Sequence, residues 1–379
     1  MWLLVAHCVA AQTRVPSNPP APNDAEIQLH RYLAEAAEAI HKGDNAAAEK
    51  DLRRALKIDP HSLAALNSLG IVLARIGKPA DAIPFYEDAL KLQPDNLSTK
   101  RNLAIAYFKA QRYLPAWRLL RPMAAKYPTD FPILDLAGLS LFALDRYREA
   151  AGFLERANRA EPSDLETLDM LGKAYLRMKD YQALTSVFAR IMQLNPNSAS
   201  AHVMMGTADD QMSNRAEAIK EYQAAIDADP NFMGAHSGLG FEYWREGENE
   251  LAEKEFRIEL QRFPSDPVSN CILGQILLNN SQLEEARSRF RASLKANPGY
   301  GEALFGLGKT EIALNHPEAA IAPLRKAIQL DPNQAEVHFV LGTALRQSGH
   351  AAEGKREQRV SVDIQEKKRA EAIRKNQSQ

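Results

Sequence analysis

Residues 63–96 read LAALNSLGIVLARIGKPADAIPFYEDALKLQPDN, and the spacing of residues within this stretch decides the fold. Its landmarks are Leu69, Gly70, Ala82, Tyr86 and Pro94. Apolar residues recur at helical spacing on both sides of Gly77, which predicts two short helices joined by a turn. Pro94 should end the second helix, because its ring removes a backbone donor and blocks a further turn.

The same landmarks return along the chain with a period of 34 residues. The period is set by nine prolines: Pro60, Pro94, Pro128, Pro162, Pro196, Pro230, Pro264, Pro298 and Pro332. Ten residues after each proline stands a small residue: Gly70, Ala104, Gly138, Gly172, Gly206, Gly240, Gly274, Gly308 and Gly342. Since only 21 of the 379 residues are proline, nine in one register indicate a tandem repeat rather than chance.

The predicted second helix of each repeat carries a small residue and then a large one. Alanine recurs at Ala82, Ala116, Ala150, Ala218, Ala252, Ala286 and Ala320. The position four residues later holds Tyr86, Leu120, Leu154, Phe188, Tyr222, Phe256, Phe290 and Leu324. The predicted turns between the two helices carry Gly43, Gly77, Asn214, Gly247 and Asn315. Small residues let the two helices approach closely, and so short a hairpin must stack on its neighbours to bury its apolar face.

These landmarks resemble the tetratricopeptide repeat, a family of helical hairpins with the same period. The resemblance covers residues 29–334 as nine repeats, and residues 335–379 as a degenerate tenth repeat with a charged C-terminal capping helix. It implies an all-α fold, namely an α-solenoid in which the hairpins stack into a right-handed superhelix. It also implies a scaffold, without enzymatic activity, that binds a protein or peptide partner in its concave groove.

By the same resemblance, the groove is lined by five positions of each first helix. The candidate partner-binding residues at these positions are Arg101, Lys109, Asp135, Asp169, Lys173, Arg177, Phe241, Trp244, Arg245, Phe305 and Lys309. Phe241 and Trp244 should lie about one turn apart on one face, and aromatic and arginine side chains are frequent energetic centres of interfaces. The alternative is that aromatics such as Trp244 and Phe305 only fill gaps between repeats.

The composition narrows the classes of function. Lys and Arg number 47 against 48 Asp and Glu, so the net charge of −1 does not suit a binder of nucleic acid. A run of about 18 apolar residues is missing, so no transmembrane helix is predicted. The 28 residues before the nine repeats and the 45 after them are too few for a catalytic domain, so we expect neither an enzyme nor a cofactor.

Two local patterns could indicate other chemistry. Residues 306–310 end like a phosphate-binding loop, but Ala303 stands where that loop needs its first glycine. His202, His236 and His338 occupy the same place in three repeats. Neighbouring helices pack about 8–10 Å apart, whereas zinc ligands must converge to about 2 Å from the ion. Packed histidine rings are therefore the better interpretation, and no metal site is predicted.

The start of the chain bears on the compartment. Residues 1–11 are mostly apolar and end in small residues, which predicts a signal peptide, and residues 12–28 form a proline-rich linker and the start of the first helix. This favours a periplasmic or secreted bacterial protein, with a cytoplasmic location as the alternative. The partner could then belong to a membrane-associated envelope machine for pilus assembly or secretion, and a cytoplasmic regulator is the remaining hypothesis.

Overall fold

The computed structural model describes residues 23–377, and these residues form twenty α-helices and no strand. Residues 1–22 hold the predicted signal peptide and most of the predicted linker, and they lie outside the described part of the chain. The helices pair as hairpins, each made of a first and a second helix joined by a short turn. The all-α prediction is confirmed.

The first helices of the hairpins are α1 (Asp24–His41), α3 (Leu63–Arg75), α5 (Leu97–Lys109), α7 (Phe131–Phe142), α9 (Leu165–Met178), α11 (Ala199–Gln211), α13 (Ala235–Glu246), α15 (Pro267–Asn279), α17 (Gly301–Ala313) and α19 (Ala335–Gln347). The second helices are α2 (Asn45–Ile58), α4 (Pro79–Leu92), α6 (Tyr113–Lys126), α8 (Tyr147–Ala160), α10 (Tyr181–Leu194), α12 (Arg215–Ala228), α14 (Asn249–Arg262), α16 (Leu283–Ala296), α18 (Pro317–Leu330) and α20 (Ala351–Gln377). Within residues 23–377, no helix combines the length and the apolar character needed to span a membrane.

The periodic prolines end the second helices, as the sequence predicts. Helix α4 ends at Leu92, two residues before Pro94, and the intervening Gln93 has φ −131° and ψ 82°. A residue that precedes proline is pushed out of the helical region by the proline ring, so the helix stops at that point. The same two-residue spacing separates the ends of α2 to α18 from their prolines.

The turn inside each hairpin closes with two backbone hydrogen bonds. In the first hairpin the amide of Gly43 donates to the oxygen of Ile40 over 3.1 Å, and that of Asp44 to the oxygen of Ala39 over 2.9 Å. This pattern requires one residue in the left-handed region, where Gly43 has φ +77°. The left-handed residues recur at the repeat spacing: Gly43, Gly77, Gln111, Asp145, Lys179, Ser213, Gly247, Ser281, Asn315 and Gly349.

The predicted turn residue Asn214 is displaced by one position from this motif. Ser213 has the positive φ of 64°, and Asn214 is instead the N-cap residue of α12. The prediction was wrong at this position because asparagine is the commoner left-handed residue of the two, whereas the repeat register, which places a non-glycine residue here, decides the geometry.

Each hairpin closes on a small residue of the first helix and a large residue of the second. A methyl group added to Gly70 would lie 2.6 Å from Cε1 of Tyr86, which is buried. The same pairing joins Gly138 with Leu154, Gly206 with Tyr222, Gly240 with Phe256, Gly274 with Phe290 and Gly308 with Leu324. The fifth repeat differs, because Gly172 faces Met204 of the next hairpin and Phe188 is only half-buried.

The chain divides into two compact units, Met1–Pro162 and Ser163–Gln379. In the described part, unit 1 holds α1–α8 and unit 2 holds α9–α20. Within each unit, the second helix of one hairpin packs against the first helix of the next, as α4 does against α5 and α12 against α13. This consecutive packing is the predicted α-solenoid arrangement.

The last hairpin departs from the common pattern. Helix α20 has 27 residues, against 14 in α18, and Gln358 replaces the large apolar residue of the earlier repeats. Gly342 approaches the backbone of α20 so closely that an added methyl group would lie 2.8 Å from the carbonyl oxygen of Gly354. Two glycines thus replace the usual contact between a small residue and a large one.

Substituting alanine at two glycines of unit 1 tests this closure of the hairpin. G70A should lower the free energy of unfolding by about 1–2 kcal/mol, because the new methyl group displaces the buried Tyr86 ring. G152A should raise it by about 0.5–1 kcal/mol, since nothing lies within 4 Å of that site in α8 and alanine favours the helix. Urea unfolding followed by circular dichroism measures both, and equal effects would contradict the assigned packing.

Candidate functional site

Helix α13 brings three of the candidate residues together. The ring centroids of Phe241 and Trp244 lie 5.9 Å apart with their planes inclined by 39°. The guanidinium carbon of Arg245 lies 5.6 Å from the centroid of Phe241. We call these three residues the aromatic patch. Both rings are half-buried and pack on the core around Phe256, so they fill a gap between helices and also present a partly exposed face.

The start of α13 is set by a glycine and a buried carboxylate. Gly234 has φ +91°, and α13 begins only at Ala235, two residues later in the repeat than its counterparts in the other repeats of unit 2. The amide of Gly234 donates to Oε1 of Glu259 in α14 over 2.9 Å. Burial raises the pKa of Glu259. This bond fixes the end of the helix that carries the aromatic patch.

Arg245 is held in place by two acidic residues. Its guanidinium donates to the carboxylate of Asp210 in α11, and Nη1 lies 3.5 Å from Oε1 of Glu242 on its own helix. An arginine with these two partners and an aromatic ring beneath it has little rotational freedom. Arg245 therefore orients the aromatic patch more than it offers a free charge to a ligand.

Glu242 is a fully buried carboxyl group beneath the aromatic patch. Its side chain is 0% exposed, and the nearest nitrogen of Arg215 is 3.4 Å from Oε2. Within residues 23–377, neither of its oxygens accepts a hydrogen bond. Burial, and then the neighbouring Asp210, raise the pKa of Glu242 to about 7, although Arg245 and Arg215 oppose this change. A carboxyl group between two arginines and an aspartate thus titrates near neutral pH.

Two further pairs of candidates lie elsewhere in unit 2. Asp169 is 2.5 Å from Nζ of Lys173 on α9, and its carboxylate also accepts a hydrogen bond from Ser200 of α11. Nζ of Lys173 is therefore already engaged by an acid of its own helix. Arg177 is exposed near the end of the same helix.

A second aromatic surface lies on α17 and α19. Nζ of Lys309 is 5.2 Å from the ring centroid of Phe305 and 3.9 Å from Oε1 of Glu336. Phe305 is half-buried, whereas Phe339 of α19 is 55% exposed. Phe339 follows Phe305 by one period, so the repeat register was the signal that could have found it.

The remaining candidates lie in unit 1. The guanidinium of Arg101 donates to Asp130, whose other carboxylate oxygen accepts from the amide of Ile133 at the start of α7 over 3.2 Å. Arg101 therefore supports a helix end. Lys109 is exposed in the last turn of α5, and Asp135 is half-buried in α7.

The three aligned histidines pair with glutamates of their own repeats. Nδ1 lies 2.7 Å from Glu221 for His202, 2.6 Å from Glu255 for His236 and 2.7 Å from Glu357 for His338. Each pair links the first helix to the second. No group of three metal-ligand side chains occurs in the described part of the chain. Residues 306–310 lie inside α17 and therefore form no loop that could surround a phosphate.

Two residues of the site were missed from the sequence. Asp210 occupies the same place in the sixth repeat as Trp244 in the seventh, so the repeat register could have identified it. Glu242 offers no such signal, because its position faces the interior and its charge gives no indication that it is buried.

The comparisons with known proteins agree with this architecture. A family model described as tetratricopeptide repeat matches residues 33–97, 203–267 and 273–335, which is just over half of the chain. The chain belongs to the tetratricopeptide repeat family. This tetratricopeptide repeat protein is therefore a protein-interaction scaffold in the general sense of its family. A second model, described as anaphase-promoting complex, cyclosome, subunit 3, matches residues 76–157.

Solved structures of similar proteins have low sequence identity to this chain. Two crystal structures of MamA are 21% and 20% identical, cover 44% and 45% of this chain and 96% and 94% of their own, each with a TM-score of 0.40. A tetratricopeptide repeat protein from Parabacteroides merdae ATCC 43184 is 18% identical, with 75% and 99% covered and a TM-score of 0.47. The comparison with curated proteins gives no match.

The raised pKa of Glu242 predicts a pH-dependent stability. The folded protein retains a proton at Glu242 up to about pH 7, so this group stabilises the fold at low pH and the benefit is lost as the pH rises through 7. E242Q keeps the site neutral. Its free energy of unfolding relative to the wild type should therefore increase between pH 5 and pH 8, by about 1 kcal/mol after screening by the two arginines.

Urea unfolding at both pH values measures this difference. E246Q is the matched control, because it removes an exposed carboxylate from the same helix. The control should follow the pH dependence of the wild type. If the curves of E242Q and the wild type run parallel from pH 5 to pH 8, Glu242 is not the titrating group.

Proposed function

We propose that this protein is a non-enzymatic scaffold that binds an extended segment of a partner protein on the first-helix face of unit 2. The observation that carries this proposal is the aromatic patch, in which two half-buried rings and a guanidinium share one face of α13. Aromatic and arginine side chains dominate the energetics of most interfaces. The patch is therefore the proposed energetic centre of binding.

The surroundings of the patch favour binding because they fix its shape in advance. Arg245 is held by Asp210 and Glu242, and both rings pack on the core below. Ordering a side chain on binding costs about 0.5–1.5 kcal/mol, and this cost is largely avoided where the side chain is already fixed. An apolar side chain of the partner could then rest on the rings without reorganising the helix.

The second aromatic surface extends the proposed binding face. First helices contact one another within unit 2, as α11 does with α13 and α17 with α19. Phe305 and Phe339 thus belong to the same kind of face as the aromatic patch, with Lys309 as a positive charge beside them. A partner segment that carries two apolar anchors with an acidic residue next to the second would match both surfaces.

Site-specific photo-crosslinking tests this proposal. A benzophenone amino acid at position 241 should capture a partner in the native source, and the added W244A substitution should reduce that capture about tenfold or more. The same group at position 251, an exposed leucine on the second helix of the same repeat, is the matched control. Equal capture from both positions, or capture that survives W244A, would place the binding face elsewhere.

The compartment of this scaffold is also a proposal, and it rests on the apolar residues 1–11 and the small residues that end them. In the periplasm, the partner would be a component of an envelope machine, such as one for pilus assembly or secretion. A cytoplasmic regulator would be the proposal for an unprocessed chain.

Mass spectrometry of the natural protein separates these locations. We expect the mature chain to begin at Gln12, because signal peptidases cleave after small residues such as Ala11. A chain that retains Met1 would contradict export and favour the regulator.

A further inference from the structure

A cleft opens in unit 1 between the second helices α6 and α8. It has a volume of about 530 Å³, and its walls come only from these two helices and their flanking turns. It is thus separate from the first-helix positions of the proposed binding face. We call it the arginine cleft, and its defining residues are Trp117, Arg121, Arg146, Glu149, Phe153 and Arg156.

The floor of the arginine cleft is aromatic. Trp117 and Phe153 meet edge to face, with centroids 5.2 Å apart and planes inclined by 77°. Arg146 lies over Trp117 at 5.6 Å, and Arg156 lies over Phe153 at 5.1 Å. A guanidinium stacked on a ring keeps its N–H donors in its own plane, where they can reach an acceptor beside the ring.

The three arginines differ in how far the protein already uses them. Arg156 donates to the carbonyl oxygens of Ala124 and Pro128, over 3.0 and 3.3 Å, which ties α8 to the end of α6. Arg146 binds Glu149 through two bonds of 2.7 Å. Arg121 is exposed and makes no ion pair with another residue of the described chain. The cleft therefore has a rigid frame and at least one guanidinium available to a ligand.

The positive charge belongs to this pair of hairpins and not to the scaffold in general. Helix α6 contains Arg118, Arg121 and Lys126 and no acidic residue, whereas the whole chain has a net charge of −1. The register of Arg146 holds neutral or acidic residues in the repeats of unit 2 up to residue 334: Asp180, Asn214, Glu248, Gln282 and His316. A local excess of arginine over an aromatic floor is typical of sites that recognise acidic motifs.

We propose that the arginine cleft binds an acidic segment of a partner protein. Carboxylates of the segment pair with Arg121 and Arg146, and an apolar part of the segment lies against Phe153. Guanidinium–carboxylate bonds of this kind are charge-assisted and directional, so they favour carboxylate ligands over neutral ones. The frame held by Arg156 means that the cleft needs no rearrangement to accept the segment.

Fluorescence polarisation with a labelled peptide of six glutamates, added to the full chain, tests the proposal. We expect saturable binding that weakens with added salt. R121E should weaken it about tenfold or more, because one charge-assisted pair is replaced by a repulsion. Absence of binding to the wild type would overturn the proposal.

R118E is the matched control. It makes the same change of charge three residues earlier on α6, at an exposed site outside the cleft, and should change the affinity less than about twofold. Equal losses for R118E and R121E would mean that attraction is unspecific and would overturn the cleft. Circular dichroism of both variants verifies their folding.

Two further measurements separate the alternatives. W244A should bind the glutamate peptide as the wild type does, since the aromatic patch lies in unit 2, so either binding proposal can fail alone. A hexanucleotide of uridine serves as the competing ligand. If it binds more tightly than the peptide and depends on Arg121, the cleft is a nucleic-acid site and the assignment to a protein segment is wrong.

Discussion

The contact between a small residue of the first helix and a large residue of the second is the constraint on which every hairpin depends. Tyr86 on Gly70 is the clearest case, because no side chain atom can be added to Gly70 without moving a buried ring. Some large residues also reach the following hairpin, as Tyr222 does at Gly238 and Phe290 at Gly306. One ring therefore sets both the closure of its hairpin and the approach of the next one.

This constraint leaves the binding surfaces free to vary. The closing residues point into the hairpins, whereas Phe241 and Trp244 lie on one side of a first helix and Trp117 and Phe153 lie between second helices. A change at the latter positions alters what the surface can recognise without disturbing the period. The same backbone can thus present a mixed aromatic and ionic face in one unit and an arginine-rich cleft in the other.

Most of the fold could be predicted from the sequence because the 34-residue period repeats a local rule many times. The ends of the second helices follow from proline chemistry, and the hairpin contacts follow from the glycine and aromatic registers. The turn at Ser213 could not be read in this way, since serine is not an obvious left-handed residue. At such positions the hydrogen bonds of the turn override the preference of the side chain.

The candidate site was predictable only where it follows the register. Phe241, Trp244 and Arg245 are close in sequence and share a helix face, so their proximity could be expected. The burial of Glu242 and its pairing with Arg215 arise from the packing of different repeats, which the spacing of residues does not encode. Arg101 shows the converse, because a residue at a groove position turned out to support the start of α7 through Asp130.

The uniform spacing of the prolines also has a consequence for how such a chain can change in length. Loss or duplication of 34 residues between two of the prolines from Pro60 to Pro332 would leave every second helix ending two residues before a proline, and every glycine opposite its ring. A deletion of any other length would move rings away from glycines throughout the joined hairpins. Natural relatives of different length should therefore differ by whole repeats, so that variation in size adds or removes surface while the joints stay intact.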